Sequence, residues 1–121
     1  MHVERHSVAV TTASDGSATV YSPVITGRVL AIIYVKTNFT DGVDFTITAE
    51  ATGETLWTES NVNAAVAKYP RVAVHDTVGV AATLDGTRAM RDAIHVAQDR
   101  VKIVLAAGGN ATTGSFIIIV G

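Results

Sequence analysis

Hydrophobic and polar residues alternate with a period of two along several stretches of this chain. Residues 43–49 show the pattern most clearly, with one face formed by Val43, Phe45, Ile47 and Ala49. Successive side chains of a strand point to opposite faces of a sheet, so this alternation predicts a strand with one buried and one solvated face. Residues 3–12 have the same period, with Val8 and Val10 on one face, and are predicted as the first strand.

Two other segments are apolar at nearly every position. Residues 29–35 predict a strand that is buried on both faces, or that has one face in the core and the other against a partner subunit. Residues 115–120 have the same character. An exposed edge of this kind would aggregate, so we expect this strand to be central in its sheet or covered by a partner.

Glycine and aspartate divide these segments into short elements. Turns are expected at residues 14–17, 41–42, 85–86 and 108–110. The turns predict two hairpins, in which residues 18–24 return along the first strand and residues 115–120 return along residues 100–106. Pro23 removes a backbone donor, which indicates an edge or a bend.

Residues 61–99 have a less distinct pattern. Residues 61–68 fit either a short helical turn or an extended arm, and residues 71–80 fit a strand with a bend at His75. Residues 89–96 fit helix or strand, with strand favoured at 94–96. The whole pattern predicts a single all-β domain over residues 1–121, an antiparallel β-sandwich or jelly-roll-like barrel of about 7–9 short strands. Residues 1–12 are a candidate N-terminal arm, and residues 61–80 a candidate extended loop.

Composition supports the all-β prediction. Val, Ile and Thr number 18, 9 and 16 among 121 residues, whereas Leu occurs four times. β-branched side chains suit a pleated sheet better than a helix.

Charge and hydropathy exclude several partner classes. The formal net charge is −2 without a basic stripe, so we predict no nucleic-acid partner. No apolar run approaches the roughly 20 residues of a membrane span, so we predict no membrane partner. The N-terminus lacks the apolar core of a signal peptide, which predicts synthesis as a soluble protein in the cytoplasm.

Candidate chemistry is sparse. There is no cysteine, and the four histidines (His2, His6, His75 and His95) form no metal-ligand motif. The carboxylates of Asp41 and Asp44 lack the further oxygen ligands of a calcium loop, and Gly108-Gly109 precedes a strand rather than the helix of a phosphate loop. We therefore predict no catalytic residue, no metal site, no cofactor and no enzymatic activity.

Interface candidates come from apolar or Arg-bearing residues on segments with little turn chemistry. Trp57, the only tryptophan, fits a core position and an interface anchor equally well. Residues 61–71 fit either a surface loop or an arm that reaches a neighbouring subunit. The candidate subunit or capsid contacts are Val3, Arg5, Trp57, Val62, Tyr69 and Arg71.

Five segments together resemble small virion proteins of tailed bacteriophages, in particular the capsid decoration (cement) class. They are VYSPVITGRVL (20–30), DGVDFTIT (41–48), LWTESNVN (56–63), DRVKIV (99–104) and GGNATTG (108–114). The resemblance covers nearly the whole chain, but its motifs are structural and carry no active site.

The resemblance implies a non-enzymatic protein on the capsid exterior that binds neighbouring subunits of the major capsid protein lattice as a homo-oligomer, with a trimer favoured over a dimer. A tail or head–tail connector protein has a similar composition and is an alternative. A carbohydrate-binding jelly roll would need exposed aromatic side chains, for which the candidates are Trp57, Tyr21, Tyr34 and Tyr69. A cupin-type enzyme would need clustered histidines and is the least favoured alternative.

Overall fold

A computed structural model of the chain describes residues 2–121. Within these residues there are ten β-strands and no helix. The strands are β1 (Glu4–Thr11), β2 (Ala18–Tyr21), β3 (Ile25–Lys36), β4 (Val43–Ala49), β5 (Thr55–Val62), β6 (Val66–Lys68), β7 (Arg71–Ala73), β8 (Arg91–Asp99), β9 (Val101–Ala106) and β10 (Thr113–Val120).

Two antiparallel sheets pack face to face. The larger sheet has the order β1-β10-β3-β8-β7, with β6 paired to β3 beside β8, and the smaller sheet has the order β2-β9-β4-β5. The predicted all-β sandwich is therefore confirmed. The count exceeds the expected 7–9 strands because β6 and β7, of three residues each, arise within the segment predicted as an extended loop.

The chain folds as one long antiparallel ribbon. Its paired strands are β1 with β10, β2 with β9, β3 with β8, and β4 with β5. The ribbon then wraps so that β10 also pairs with β3, and β9 with β4. This is the strand order of a jelly roll, in which two Greek keys share a core.

Neither predicted hairpin forms. β2 pairs with β9 rather than β1, and β9 and β10 lie in different sheets. The reason lies in the loops of residues 12–17 and 107–112, which pack against each other where the ribbon crosses between sheets. The Gly108 N–H donates to the Gly16 carbonyl at 2.9 Å, and a Cβ on Gly16 would lie 2.9 Å from the Gly109 nitrogen. The glycines therefore permit a corner between two backbones rather than a turn within one hairpin.

Five aromatic side chains form the centre of the core. The Tyr34 ring lies 5.3 Å from the rings of Phe45 and Phe116, and the Phe45 ring meets the Trp57 ring edge-on at 4.6 Å. The Phe39 ring stacks on the Tyr34 ring, with 6.1 Å between the ring centroids. The predicted inner face of β4 is buried as expected. β10 is central in the larger sheet, so its predicted central position is confirmed.

The ambiguous segments are extended. No part of residues 61–68 is helical, because β5 continues to Val62 and β6 follows. Residues 91–99 form β8, so the strand alternative applies there. Residues 1–12 form no free arm in the described part of the chain, since β1 pairs with β10 over its full length.

Candidate interaction surface

Four of the six predicted contact residues are exposed, but they do not form one surface. Val3 and Arg5 lie beside or on β1, at one edge of the larger sheet, with Val3 51% exposed. Tyr69, 65% exposed, and Arg71 lie at the opposite side, beside β6 and on β7. The Arg71 guanidinium donates to the carbonyls of Leu30 and Pro70, at 3.2 and 2.7 Å. That side chain is therefore held against its own chain.

The other two predicted contact residues lie in the core. Trp57 is 7% exposed, and its indole N–H donates to the Glu59 carboxylate at 3.4 Å. Val62 is 8% exposed and lies opposite Val43 in the β4–β5 ladder. Of the two alternatives for Trp57, the structure has the core position, because the ring fills the space beside Phe45. Neither side chain is available at the surface of this chain.

An excursion of residues 74–90, here called the finger, leaves the sandwich between β7 and β8. β7 and β8 pair up to Ala73 and Arg91, so the finger begins and ends at the tip of that hairpin. Three backbone hydrogen bonds close its base in a ring: Val74 N–H to the Met90 carbonyl (2.9 Å), Met90 N–H to the Ala82 carbonyl (3.3 Å), and Ala82 N–H to the Val74 carbonyl (2.7 Å). The finger is therefore a hydrogen-bonded unit rather than an open loop.

Aspartate side chains order the two turns of the finger. The Asp76 carboxylate accepts the N–H groups of Val78 and Val80, both at 3.0 Å. The Asp85 carboxylate accepts the N–H groups of Thr87 and Arg88, at 3.1 and 2.9 Å, and the Arg88 guanidinium at 2.8 Å. The Arg88 N–H, together with the Thr87 hydroxyl and the guanidinium, holds the pKa of Asp85 well below its usual range.

The finger presents apolar side chains to solvent. The exposed fractions are 81% for Val78, 59% for Val80, 65% for Leu84 and 41% for Met90. Single exposed apolar residues are ordinary on protein surfaces, but a group of them on an ordered projection is typical of an interaction site. The sequence predicted the turn at Asp85-Gly86 but not this group of exposed side chains. The sequence signal for this group was the placement of Val78, Val80 and Leu84 next to the turns at Asp76 and Asp85.

The larger sheet also has an apolar outer face. On β10, Phe116 and Ile118 are fully buried, and the alternate residues Ile117 and Ile119 are half-buried. Ile117 lies opposite Ile33 of β3, which is also half-buried. Isoleucine at these outward positions gives the sheet a second apolar surface, as the continuous hydrophobic run predicted.

Several of the remaining polar groups have structural partners. Within residues 2–121, no three His, Cys, Asp or Glu side chains come together as a metal-binding group. His2 and His6 each lie 3.2 Å from a carboxylate oxygen of Glu4. Asp41 pairs with Lys36, and Asp44 accepts the Asn61 N–H at 2.9 Å. No helix in the described residues has the length and hydropathy to cross a membrane.

Comparison with known proteins gives no family. No protein-family model matches the chain, and no curated protein matches it in sequence. The crystal structure of FLHE is similar with a TM-score of 0.42 and 8% identity, covering 99% of this chain and 96% of that one. The infectious bursal disease virus VP2 subviral particle is similar with a TM-score of 0.29 and 12% identity, and this chain spans 32% of that one. At such scores neither likeness bears on what the chain does.

Proposed function

We propose that this chain is a structural virion protein, which decorates a tailed-phage capsid and stabilises it by binding neighbouring subunits of the capsid lattice. The observation that carries the proposal is the finger. Val78, Val80, Leu84 and Met90 are exposed on a segment whose backbone is held by its own hydrogen bonds. An ordered apolar projection loses little conformational entropy on binding, which favours a protein partner with a complementary hollow.

Burial of the exposed side chains of the finger would contribute favourably to such a contact. Burying a valine or leucine side chain contributes about 1.5–3 kcal/mol. Val78 and Leu84, which are 81% and 65% exposed in the free chain, have the most surface to bury on binding. Even a modest site of this kind becomes effective when several copies engage one lattice, because the later contacts form at high effective concentration.

The capsid as partner is supported by the sequence resemblance to decoration proteins. Such a protein needs a stable body and a surface that engages an assembled lattice. The sandwich supplies a body with a large buried core. The finger supplies the surface, on the side of the larger sheet away from β1.

Co-sedimentation tests this proposal. Capsids assembled from the major capsid protein of the same genome are mixed with the purified chain, in parallel with the unassembled capsid protein and with isolated tails. We expect saturable binding to assembled capsids and none to the unassembled protein. Binding to tails alone would support the alternative function, that of a tail or head–tail connector protein. Binding to none of the three would refute the proposal.

Two matched variants locate the contact. Val78→Ser/Leu84→Ser removes two exposed apolar side chains of the finger, and Val24→Ser/Val104→Ser removes two elsewhere, which are 63% and 40% exposed. We expect the finger variant to lower capsid affinity at least about tenfold, since about 1.4 kcal/mol accounts for each tenfold change. The control variant should bind as the unchanged chain does. Equal affinities for the two variants would exclude the finger as the contact.

A further inference from the structure

We propose that β1 is a self-association strand, which pairs antiparallel with β1 of a second copy about a two-fold axis beside Ser7 or Val8. The resulting dimer would join two larger sheets edge to edge. The inference concerns contacts between copies of this chain, and it stands whether or not the chain binds a capsid.

The free edge of β1 offers a complete row of backbone groups. β1 pairs with β10 from Glu4 to Thr11 with no shift in register. The Thr12 N–H donates to the Thr112 carbonyl. Because backbone groups alternate in an antiparallel ladder, the N–H and C=O groups of the even-numbered residues of β1 then point toward β10. The N–H and C=O groups on the free edge belong to Arg5, Ser7, Ala9 and Thr11. No hydrogen bond from another segment of residues 2–121 occupies them.

The other edges are short or irregular. β7 has three residues and β2 has four, with Pro23 two positions beyond its end. β5 has eight residues, but its register with β4 shifts twice, and Asn61 has a φ of 55°. Short strands and bulges are the usual means of blocking edge pairing. Among the described strands, β1 is a long edge strand that has no bulge or shift in register.

Charge favours a second copy in the antiparallel direction. Glu4, Arg5 and His6 occupy one end of β1, and residues 7–11 carry no charge. A two-fold axis at Ser7 sets Arg5 of each copy opposite Ala9 of the other, so no like charges oppose each other. A parallel arrangement would bring the two copies of Arg5 together, which is unfavourable across strands.

The dimer would also place the outward isoleucines of both copies on one face of the joined sheet. Ile117 and Ile119 of the two β10 strands would be separated there by the two β1 strands. An interface of this kind is isologous and closed, which gives a dimer rather than an open fibre. It differs from the trimer that the sequence resemblance favours.

Solution mass by light scattering, across a concentration series, tests the inference. We expect the unchanged chain to approach twice its monomer mass of 12.6 kDa as concentration rises. Ser7→Lys places two positive charges near the axis and should raise the dissociation constant by up to about fivefold. The control Ser60→Lys makes the same change at an exposed position of the other long edge strand, β5, and should leave the dissociation constant unchanged.

Amide hydrogen exchange gives a second readout that does not depend on a variant. The N–H groups of Ser7 and Ala9 should exchange slowly at concentrations where the dimer forms and rapidly in the monomer. A chain that stays monomeric at every concentration would overturn the inference, as would a trimer. So would a dimer in which Ser7→Lys and Ser60→Lys have equal effects or the Ser7 and Ala9 amides stay unprotected.

Discussion

Tyr34 is fully buried among the core aromatics, and its hydroxyl makes no hydrogen bond with the described residues. Burial, with a smaller effect from Asp41, raises its pKa, so the hydroxyl stays protonated over the ordinary pH range. A buried polar group without a partner costs about 1–3 kcal/mol. The ring therefore stabilises the core, while the hydroxyl opposes that stabilisation.

Tyr34→Phe should consequently stabilise the protein. We expect a gain of about 1 kcal/mol in the free energy of unfolding, measured by urea denaturation, because the ring stays in place and the unpaired hydroxyl is removed. Tyr21→Phe is the control, since that side chain is 40% exposed and its hydroxyl reaches solvent. A loss of more than about 1 kcal/mol in Tyr34→Phe would mean that the hydroxyl contributes to stability.

Asp85 gives a prediction about pH. Its pKa is lowered in the folded state, chiefly by the Arg88 N–H, so the unfolded state binds protons more readily in the acidic range. The contribution of this carboxylate to the order of the finger is complete above its unfolded pKa of about 3.9 and is lost as the pH falls through the lower folded value.

A carboxyl-carbon NMR titration measures this directly. We expect the Asp85 midpoint to lie well below about 3.9, and we expect Asp85→Asn to speed amide exchange at Thr87 and Arg88 without changing exchange in β10. A midpoint at the value of an unperturbed aspartate would show that the turn hydrogen bonds do not persist in solution.

At the scale of elements, the finger should be separable from the sandwich. None of its residues belongs to the buried core, and β7 and β8 meet in register at Ala73 and Arg91. A two-residue Asn-Gly turn suits such an antiparallel pair and would replace residues 74–90.

The shortened chain should unfold cooperatively, with a free energy of unfolding within about 1 kcal/mol of the full chain, because the core is unchanged and the closing loop is shorter. Circular dichroism and urea denaturation provide the measurement. Loss of cooperative unfolding would show that the finger is part of the folding unit, and the finger would then have a structural role.

The elements also show what the sequence could predict. The period of two predicted the inner face of β4, and the continuous apolar run predicted that β10 is central in its sheet. Both predictions were possible because the hydrophobic pattern within one strand reflects which of its faces are buried. The pairing of strands could not be read in the same way. β1 and β10 lie about a hundred residues apart in sequence, and the turn at residues 14–17 forms a corner by packing against residues 107–112.

The same limit applies to the candidate surface. Apolar character identified Trp57 and Val62 as contact candidates, but it could not distinguish an inward from an outward side chain on β5, where the register shifts. In the finger, the turn at Asp85-Gly86 was predicted, but residues 71–80 were expected to form one strand, whereas β7 ends at Ala73 and Asp76 orders a turn after it. The exposure of Val78 and Leu84 follows from the finger leaving the sandwich, which depends on the long-range pairing of β7 with β8.

At the scale of the whole molecule, the two proposed surfaces have different positions. β1 is one edge of the larger sheet, and the finger extends from the hairpin at the other edge. A dimer formed through β1 would therefore carry its two fingers at opposite ends of a joined sheet. Two widely spaced contacts suit a protein that bridges neighbouring subunits of a lattice, because each contact raises the effective concentration of the other.

The heat resistance of DNA-filled capsids tests this account most directly. The temperature of DNA release, followed with a DNA-binding dye, is measured for capsids without this chain, for the same capsids with the full chain, and for capsids with the chain in which Asn-Gly replaces residues 74–90. We predict a higher release temperature with the full chain and no increase with the shortened chain. An unchanged release temperature with the full chain at saturating concentration would contradict the proposed role in stabilising the capsid.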